Sequence, residues 1–286
     1  MQLPRLMPAL VSPFGRGGEL DLAAHAGNVD RLAEVGIIGF LVAGSTGEGP
    51  LLDPGERAEL VATLRQRLGK KPHVMVGVWA ESVRQALRQA DEAAAAGADT
   101  VLVVTPTTLA RRFVNTQIDH FEAIADRSPL PVLLYSVPSN TGYSLDEGAV
   151  ARLATHHRII GMKDSGGDAV RIGRIARAGD FAVFNGASAS IALAVAGGAF
   201  GAITASVNYA PILLSELVTT ARRSVAKALP LQDRLTPPSA AIEGHGVPGV
   251  KAAARAAGID GGRPRPPLKA LAPKHSERLA AVATAI

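Results

Sequence analysis

Cysteine is absent from this 286-residue chain, and aromatic residues make up only 4% of it. Without cysteine the chain forms no disulfides and no thiolate metal sites, and this composition fits a reducing compartment. No run of about 18 apolar residues is free of charges and helix breakers, so we predict no membrane-spanning segment. Residues 1–6 lack the basic segment and long apolar run of a signal peptide. We therefore predict a soluble cytoplasmic protein with no membrane partner.

Charged residues are also scarce, at 19%, and the net charge is +5. The basic residues are scattered and form no stripe interleaved with aromatics, which argues against nucleic acid as a partner. The histidines form no ligand pair at helical spacing, so we predict no metal site. The seven histidines are His25, His73, His120, His156, His157, His245 and His275.

Hydrophobic residues, at 47%, are abundant enough for a substantial core, and short apolar runs alternate with segments of helical periodicity. The predicted strands are 7–11, 37–43, 73–78, 101–105, 132–135, 159–163, 181–184 and 199–204. The predicted helices that follow them are 21–35, 53–68, 82–96, 113–126, 145–155, 168–177, 188–196 and 211–229. Eight strands, each followed by a helix, predict a parallel sheet with buried strands.

Capping residues mark the starts of the first two helices. Asp21 is the predicted N-cap of the first helix. Asp53 is the predicted N-cap of the second, with Pro54 at the first helical position and the acidic Glu56 three residues after the cap. These signals fix the predicted beginnings of both helices.

Eight βα units are the number that a closed (β/α)8 TIM barrel needs, so we predict this α/β fold. A doubly wound open sheet stays an alternative, because periodicity does not show closure. After Tyr209 the pattern is helical only, with further helices near Ala240, at 249–257 and at 276–286, and a loop at 261–267. We predict a barrel domain at residues 1–225 and a C-terminal helical appendage at 226–286.

Lys163 ends the predicted sixth strand, in the run Ile159-Ile160-Gly161-Met162-Lys163-Asp164. An amine among apolar neighbours is poorly solvated as a cation, so its neutral form becomes accessible. A neutral amine attacks a ketone to form a Schiff base, whose protonated imine acts as an electron sink. The alternative is a lysine at the mouth of a strand that pairs with Asp164.

Two other strand ends bear chemically useful groups, and in a barrel such ends share one face. The loop 44–49 after strand 2 offers backbone N–H groups and the hydroxyls of Ser45 and Thr46, which suit a carboxylate or phosphate. It is equally read as a tight turn whose hydroxyls cap the next segment. Tyr135 at the end of strand 5 could move protons to and from a substrate, or be a core tyrosine with a satisfied hydroxyl.

Together these residues resemble the pyruvate-dependent class I aldolase family that includes dihydrodipicolinate synthase and N-acetylneuraminate lyase. The resemblance extends from Pro8 to the helical tail. The matching motifs are Gly44-Ser45-Thr46-Gly47-Glu48, Tyr135-Ser136-Val137-Pro138-Ser139-Asn140-Thr141-Gly142 and Gly161-Met162-Lys163-Asp164-Ser165. The family implies a (β/α)8 barrel, a homo-oligomer (tetramer or dimer), and no metal or organic cofactor beyond the covalent imine with the lysine.

The resemblance also implies roles for individual residues. Lys163 forms the Schiff base with pyruvate, and Tyr135 relays protons. The hydroxyls and backbone N–H groups of the loop after strand 2 hold the pyruvate carboxylate, which positions the keto carbon for attack. The implied substrate-binding residues are Ser45, Thr46, Gly47, Ser139, Asn140, Ser165 and Ile203, the last through its backbone carbonyl.

The chain departs from the family at two positions. Family members commonly have a tyrosine after the Thr-Pro of strand 4 that reaches into the site of the neighbouring subunit, whereas this chain has Thr107, Thr108 and Leu109 there. Water or Thr108 could take over its proton relay. The synthase branch has an arginine where this chain has Asn140, and an asparagine cannot form the bidentate ion pair of a guanidinium with a carboxylate.

These motifs look most like those of 4-hydroxy-2-oxoglutarate aldolase, which cleaves its substrate to pyruvate and glyoxylate. We therefore predict an aldolase or lyase whose partners are a small 2-oxo acid and an aldehyde. Dihydrodipicolinate synthase and a 2-keto-3-deoxy sugar acid aldolase or dehydratase are alternatives that share Lys163. A non-catalytic binding homologue is a further alternative, disfavoured because a scaffold has no need of the combined lysine, tyrosine and hydroxyl set.

Overall fold

The computed structural model of the protein describes residues 3–286, so Met1 and Gln2, at the start of the predicted barrel range, lie outside the described residues. Within that range eight strands form one parallel sheet. They are β1 Leu6–Pro8, β2 Gly39–Val42, β3 His73–Val78, β4 Thr100–Val104, β5 Val132–Ser136, β6 Ile159–Asp164, β7 Ala182–Asn185 and β8 Gly201–Thr204. The predicted number and order of the strands are confirmed.

Helices follow every strand and then continue into the C-terminal region. They are α1 Leu22–Glu34, α2 Glu56–Leu68, α3 Val83–Ala95, α4 Val114–Arg127, α5 Pro138–Thr141, α6 Glu147–Leu153, α7 Ala169–Ala176, α8 Ile191–Ala196, α9 Pro211–Ala221, α10 Val225–Glu243, α11 Gly246–Ala254 and α12 Pro273–Thr284. Asp21 caps α1 as predicted, because its carboxylate accepts the Ala24 N–H at 2.9 Å.

The sheet closes on itself, which decides between a barrel and an open sheet. Strand β1 pairs with β8, and a parallel bridge between Ala9 and Leu41 joins the segments after β1 and at β2. The Leu10 N–H donates to the Leu41 carbonyl at 2.9 Å across the same seam. The predicted (β/α)8 barrel is therefore confirmed, and the doubly wound alternative is wrong.

Two apolar layers stabilise the barrel. One lies between the strands and the surrounding helices, where helical residues such as Leu32, Leu64 and Phe121 pack on the outer faces of the strands. The other fills the barrel interior with inward-pointing side chains, among them Met75 and Phe184. Alternate residues of each strand serve the two layers, as a sheet buried on both faces requires.

The start of α2 differs from the prediction. Its N-cap is Gly55, which has a φ of +91°, so neither Asp53 as cap nor Pro54 as first helical residue is correct. The physical reason lies in Glu56, whose Oε2 accepts the Asp53 N–H at 2.7 Å and pairs with Arg265 Nη1 at 2.6 Å. This pairing tightens residues 53–56 into a turn that only glycine completes without strain.

The last barrel helix is shorter than predicted. Helix α9 ends at Ala221 instead of reaching Leu229, and Ser224 begins α10 by accepting the Lys227 N–H at 3.4 Å. Helix α10 then continues through three prolines to Glu243. The loop at 261–267 contains no helix, as predicted. The boundary between residues 225 and 226 stays a prediction, and α10 packs directly on α8 and α9.

Burial of His25 predicts a pH dependence of stability. Burial lowers the pKa of His25 from 6.5 to about 4, although its Nε2 lies 3.0 Å from the Leu60 carbonyl oxygen. The unfolded chain therefore binds an additional proton between these two pKa values, so the free energy of unfolding should fall by about 3 kcal/mol as the pH drops from about 6.5 to about 4. Urea denaturation at several pH values measures this.

A His25→Gln variant provides the comparison, because glutamine keeps a donor for the Leu60 carbonyl but does not titrate. Between about pH 6.5 and about pH 4, its free energy of unfolding should fall by about 3 kcal/mol less than that of the wild type. His73 and His120, whose pKa values burial also lowers, act in the same direction in both proteins. Equal pH slopes for the two proteins would refute the role of His25.

Candidate active site

Lys163 and Tyr135 meet at the C-terminal end of the barrel. They stand in register on the neighbouring strands β6 and β5, so both side chains point inward. Lys163 Nζ donates to Tyr135 Oη at 3.3 Å, and Tyr135 Oη lies 2.9 Å from Ser45 Oγ. The lysine is 3% exposed and the tyrosine 2%. The structure thus connects an amine, a phenol and a hydroxyl, from the ends of three different strands, through hydrogen bonds.

Lys163 does not pair with the acid that follows it. The Asp164 carboxylate accepts Arg171 Nε at 2.9 Å and the Gly166 N–H at 2.8 Å. Among residues 3–286 no carboxylate lies within ion-pair distance of Lys163. The alternative of a lysine paired with Asp164 is therefore wrong, and the amine stays free to react.

Trp79, at the end of β3, supports Tyr135. The two rings meet edge to face with their centroids 6.1 Å apart. Trp79 Nε1 donates to the Ala43 carbonyl at 3.0 Å, and Ala43 has a left-handed φ of +57°. A left-handed alanine costs free energy and is held only where its surroundings fix it. Sequence reasoning did not find Trp79, although it is the one tryptophan of the chain.

Ser45 and Thr46 line the cavity, whereas Gly47 lies behind them. The Gly47 carbonyl accepts the Ser12 hydroxyl at 2.8 Å, and a Cβ at Gly47 would stand 2.7 Å from the Leu10 carbonyl oxygen. The loop therefore needs glycine here in order to lie against the segment after β1. Its two hydroxyl residues are presented to the site as a consequence.

A buried ion pair holds the end of this loop. Lys251 Nζ of α11 lies 2.5 Å from Glu48 Oε1, with 4% and 0% of the two side chains exposed. Lys251 also donates to the carbonyls of Ser12 and Arg263, each at 2.7 Å. Burial lowers the pKa of Lys251, and the charge of Glu48 acts in the opposite direction. The C-terminal region thus anchors the loop after β2.

The cavity above Lys163 has a volume of about 310 Å³. Ser139 and Asn140 of the short helix α5 line it together with Ser165, and Ser139 Oγ donates to Asn140 Oδ1 at 3.1 Å. A Cβ at Gly186 would overlap the Ser165 hydroxyl and approach Lys163 Cε, so this position of the wall must lack a side chain. Within the described range Lys163 is the sole cationic residue that lines the cavity.

Ile203 is placed differently from the other predicted site residues. Its side chain belongs to the apolar interior of the barrel, and the residue does not line the cavity. The expected contact between its backbone carbonyl and a ligand stays a prediction.

The wall of the cavity on the far side of Lys163 from Tyr135 contains residues that sequence reasoning missed. Ser188 follows β7, and Glu243 and Ser239 come from α10. Ser188 Oγ donates to Glu243 Oε1 at 2.7 Å, and Tyr209 Oη donates to the same oxygen at 2.8 Å. Burial raises the pKa of Glu243, whereas both hydrogen bonds and the charge of Lys163 act to lower it. No motif signalled this cluster, because it depends on how α10 docks.

Residues 3–286 contain no cluster of three or more histidine, cysteine, aspartate or glutamate side chains that could hold a metal ion. The same range contains no helix with the length and hydropathy to cross a membrane.

Comparison with known proteins identifies the family. Residues 2–286 match the model of the dihydrodipicolinate synthetase family. The chain belongs to this family. A 4-hydroxy-tetrahydrodipicolinate synthase from Mycolicibacterium paratuberculosis is 33% identical over 288 residues, which cover 98% of this chain and 94% of the relative. Another, from Streptomyces coelicolor, is 33% identical over 93% of this chain and 88% of its own length.

Solved structures agree with this assignment. The chloride-inhibited dihydrodipicolinate synthase from Acinetobacter baumannii, complexed with pyruvate, has a TM-score of 0.92 and 28% identity, with 99% of each chain covered. The predicted membership of the pyruvate-dependent class I aldolases is therefore confirmed. The protein is a class I pyruvate-dependent enzyme of the dihydrodipicolinate synthetase family.

The loop after β4 contains Thr107 and Thr108, the first of the two predicted departures from the family's pattern. The backbone N–H groups and hydroxyls of Thr107 and Thr108 all donate to Glu81, with Thr108 N and Oγ1 at 3.0 and 2.6 Å from Oε2. Tyr143 Oη also binds this loop, by donating to the Pro106 carbonyl at 2.6 Å. Thr108 does not line the cavity of its own subunit, and its part in a proton relay to a neighbouring subunit stays a prediction.

Proposed function

We propose that the protein is a Schiff-base aldolase that cleaves 4-hydroxy-2-oxoglutarate to pyruvate and glyoxylate, or joins the two products. The observation that supports this most is the hydrogen-bonded chain of Lys163, Tyr135 and Ser45 in a cavity that hydroxyl and amide side chains line on the α5 side. Ser139, Asn140 and Ser165 offer hydroxyl and amide groups to a small aldehyde.

The geometry suits imine formation at Lys163. Ser45 and Thr46 would hold the carboxylate next to the keto group, which fixes the carbonyl carbon against Nζ. Gly47 would contribute through the backbone of this loop, and the Ile203 carbonyl would face the ligand from β8. Nζ attacks the carbon, and Tyr135 supplies the proton with which the carbinolamine oxygen leaves as water.

Carbon–carbon cleavage follows from the charge of the imine. A base removes the proton of the C4 hydroxyl, the C3–C4 bond breaks, and its electron pair moves into the C2–N system as an enamine. Glyoxylate leaves with the new C4–O double bond. Protonation of C3 and hydrolysis then release pyruvate and restore the amine. The protonated imine on Lys163 is the electron sink of this step, and we propose that no metal or organic cofactor takes part.

The lining of the aldehyde side distinguishes this reaction from that of the synthase. Asn140 stands where the synthase branch has an arginine, and no other guanidinium lines the cavity within residues 3–286. The carboxylate of the synthase's longer aldehyde would lack a bidentate partner there, whereas the carboxylate of glyoxylate, next to the aldehyde carbon, would be held by the hydroxyl and amide donors of Ser139, Asn140 and Ser165. The relatives named 4-hydroxy-tetrahydrodipicolinate synthase make that activity the second candidate.

A substrate panel tests the proposal. Wild-type protein would receive 4-hydroxy-2-oxoglutarate, 2-keto-3-deoxy sugar acids, or pyruvate with the synthase's own aldehyde, with and without a chelator. We expect kcat/KM for 4-hydroxy-2-oxoglutarate to exceed the others by at least about 10-fold, a difference of about 1.4 kcal/mol in transition-state binding, and to be unchanged by the chelator. A higher value for another substrate would transfer the assignment to that substrate, and no turnover would favour a binding protein.

We also propose a cytoplasmic homo-oligomer, a tetramer or a dimer. Leu109, Phe113 and Val114 follow the strand-4 loop and are 90%, 62% and 43% exposed. Adjacent exposed apolar side chains of this size are typical of a surface that another subunit covers. Light scattering after size-exclusion chromatography measures the mass, and a monomer at micromolar concentration would contradict the proposal.

A further inference from the structure

Lys163 has a different polar group on each flank. Strand β6 lies between β5, which provides Tyr135, and β7, which leads into Ser188. Tyr135 connects to Ser45 on the side where a carboxylate would be held. Glu243 reaches the opposite wall from the end of α10. A ligand attached to Lys163 would therefore lie between a phenol and a carboxyl group.

Glu243 is fixed in place by one of its two oxygens. Oε1 accepts Ser188 Oγ and Tyr209 Oη, and Ser206 Oγ lies 2.8 Å from Ser188 Oγ. Oε2 has no hydrogen-bond partner within the described part of the chain, and the residue lines the cavity that contains Lys163. A carboxyl group that is anchored through one oxygen and open at the other can exchange a proton without losing its position.

Tyr135 is well placed for the proton transfers next to the nitrogen, but the reaction also moves a proton at C3. Its Oη is bonded to both Lys163 Nζ and Ser45 Oγ, which puts it beside the nitrogen and the carboxylate of a bound 2-oxo acid. Conversion of the imine to the enamine moves a proton at C3, which points away from the carboxylate because the three substituents of C2 are about 120° apart. Besides Tyr135 and Lys163, Glu243 on the opposite wall is the one titratable residue that lines the cavity within the described residues.

We propose that Glu243 is the catalytic acid and base at C3 of the pyruvate imine, an inference that rests on the proposed Schiff base at Lys163. In the direction that joins pyruvate to the aldehyde, Oε2 of Glu243 takes the proton from C3. The C3–H electron pair becomes the C2–C3 double bond, and the electron pair of the C=N bond returns to nitrogen, which gives a neutral enamine. In cleavage the same oxygen returns the proton to C3.

The raised pKa of Glu243 suits this exchange, since a carboxyl that titrates closer to neutrality both gives and takes protons more readily. The proposal also accounts for the strand-4 departure. Thr107 and Thr108 are held on Glu81, and a proton route through α10 needs no tyrosine in that loop.

Deuterium exchange into the methyl group of pyruvate tests the proposal without any aldehyde. Wild type, Glu243→Gln and Glu216→Gln would be incubated with pyruvate in D2O, and loss of the methyl proton signal followed by NMR. Glu216 is an exposed glutamate of α9 and serves as the matched control. Lys163→Ala gives the background rate. Borohydride trapping, with peptide mass spectrometry, would measure the imine on Lys163 in each protein.

We expect Glu243→Gln to slow the exchange by at least about 10²-fold, while the trapped adduct on Lys163 forms as in wild type. Glutamine still accepts from Ser188 and Tyr209, so the fold should persist. Glu216→Gln should exchange at the wild-type rate. Glu243→Asp, which keeps a carboxyl group, should exchange faster than Glu243→Gln and provides the comparison if the glutamine variant does not fold.

Three results would overturn the proposal: unchanged exchange in Glu243→Gln, loss of the adduct together with exchange in that variant, or exchange in Glu243→Asp as slow as the background. A wild-type protein that forms no adduct would instead refute the proposed Schiff base, so the two failures are distinguishable.

Discussion

Replacement of Lys163 by methionine should lower turnover by at least about 10⁴-fold, the order of loss seen when a protein nucleophile is removed from covalent catalysis. Methionine keeps the length and apolar stem of the side chain but cannot form an imine, so the electron sink disappears. Tyr135 and Ser45 would remain bonded to each other. The residual rate would reflect binding alone.

The same substitution should leave the fold intact. Within residues 3–286 Lys163 is buried without a carboxylate partner, and Asp164 already pairs with Arg171, so the substitution breaks no ion pair there. Removing an unpaired buried amine is expected to leave the melting temperature unchanged or raise it.

Turnover on the preferred substrate and the melting temperature would be measured for Lys163→Met and for Lys227→Met, which changes an exposed lysine of α10. The control should equal wild type in both. Turnover of Lys163→Met above about 1% of wild type would contradict imine catalysis at this residue.

Replacement of Lys251 by methionine should destabilise the protein by about 3–5 kcal/mol, because Glu48 would be left as a buried charge without its partner. A loss of this size corresponds to a fall in melting temperature on the order of 10 °C. Glu48 also has a left-handed φ of +54°, and the ion pair helps to hold that strained backbone. The loop that presents Ser45 and Thr46 should loosen, which would raise the KM for pyruvate.

A double-mutant cycle separates the pair from its surroundings. Glu48→Gln combined with Lys251→Met removes both charges and should recover part of the stability lost in the single variants. Thermal denaturation of the four proteins gives the coupling free energy. Additive losses in the double variant would show that the two side chains do not stabilise the loop as a pair.

The sequence predicted the barrel because its two kinds of element leave different patterns. Strands that are buried on both faces appear as short continuous apolar runs, and helices that are buried on one face show the 3.6-residue period. It also predicted which residues meet at the site, since the ends of parallel strands must share one face. Lys163, Tyr135 and Ser45 come together for that reason. The error at Asp53 arose because Arg265, more than 200 residues later, pairs with Glu56 and lies 3.8 Å from the Asp53 carboxylate, which does not cap the helix.

The contributions of the C-terminal region could not be predicted in this way. Helix α10 contains Pro230, Pro237 and Pro238, each of which is unfavourable inside an isolated helix, and packing against α8 and α9 overrides that preference. Periodicity identifies a helix without saying where it docks. Glu243 and Lys251 therefore gave no signal, although both side chains reach the barrel.

The position of these two residues has a consequence for synthesis on the ribosome. All eight strands have been translated by Thr204, and a barrel could begin to close at that point. The chain at that stage still lacks the carboxyl group of Glu243 and the ammonium group that holds the loop after β2. A nascent barrel would thus have Lys163 and Tyr135 before Glu243, so the proposed proton transfer at C3 would begin only after the final helices have docked.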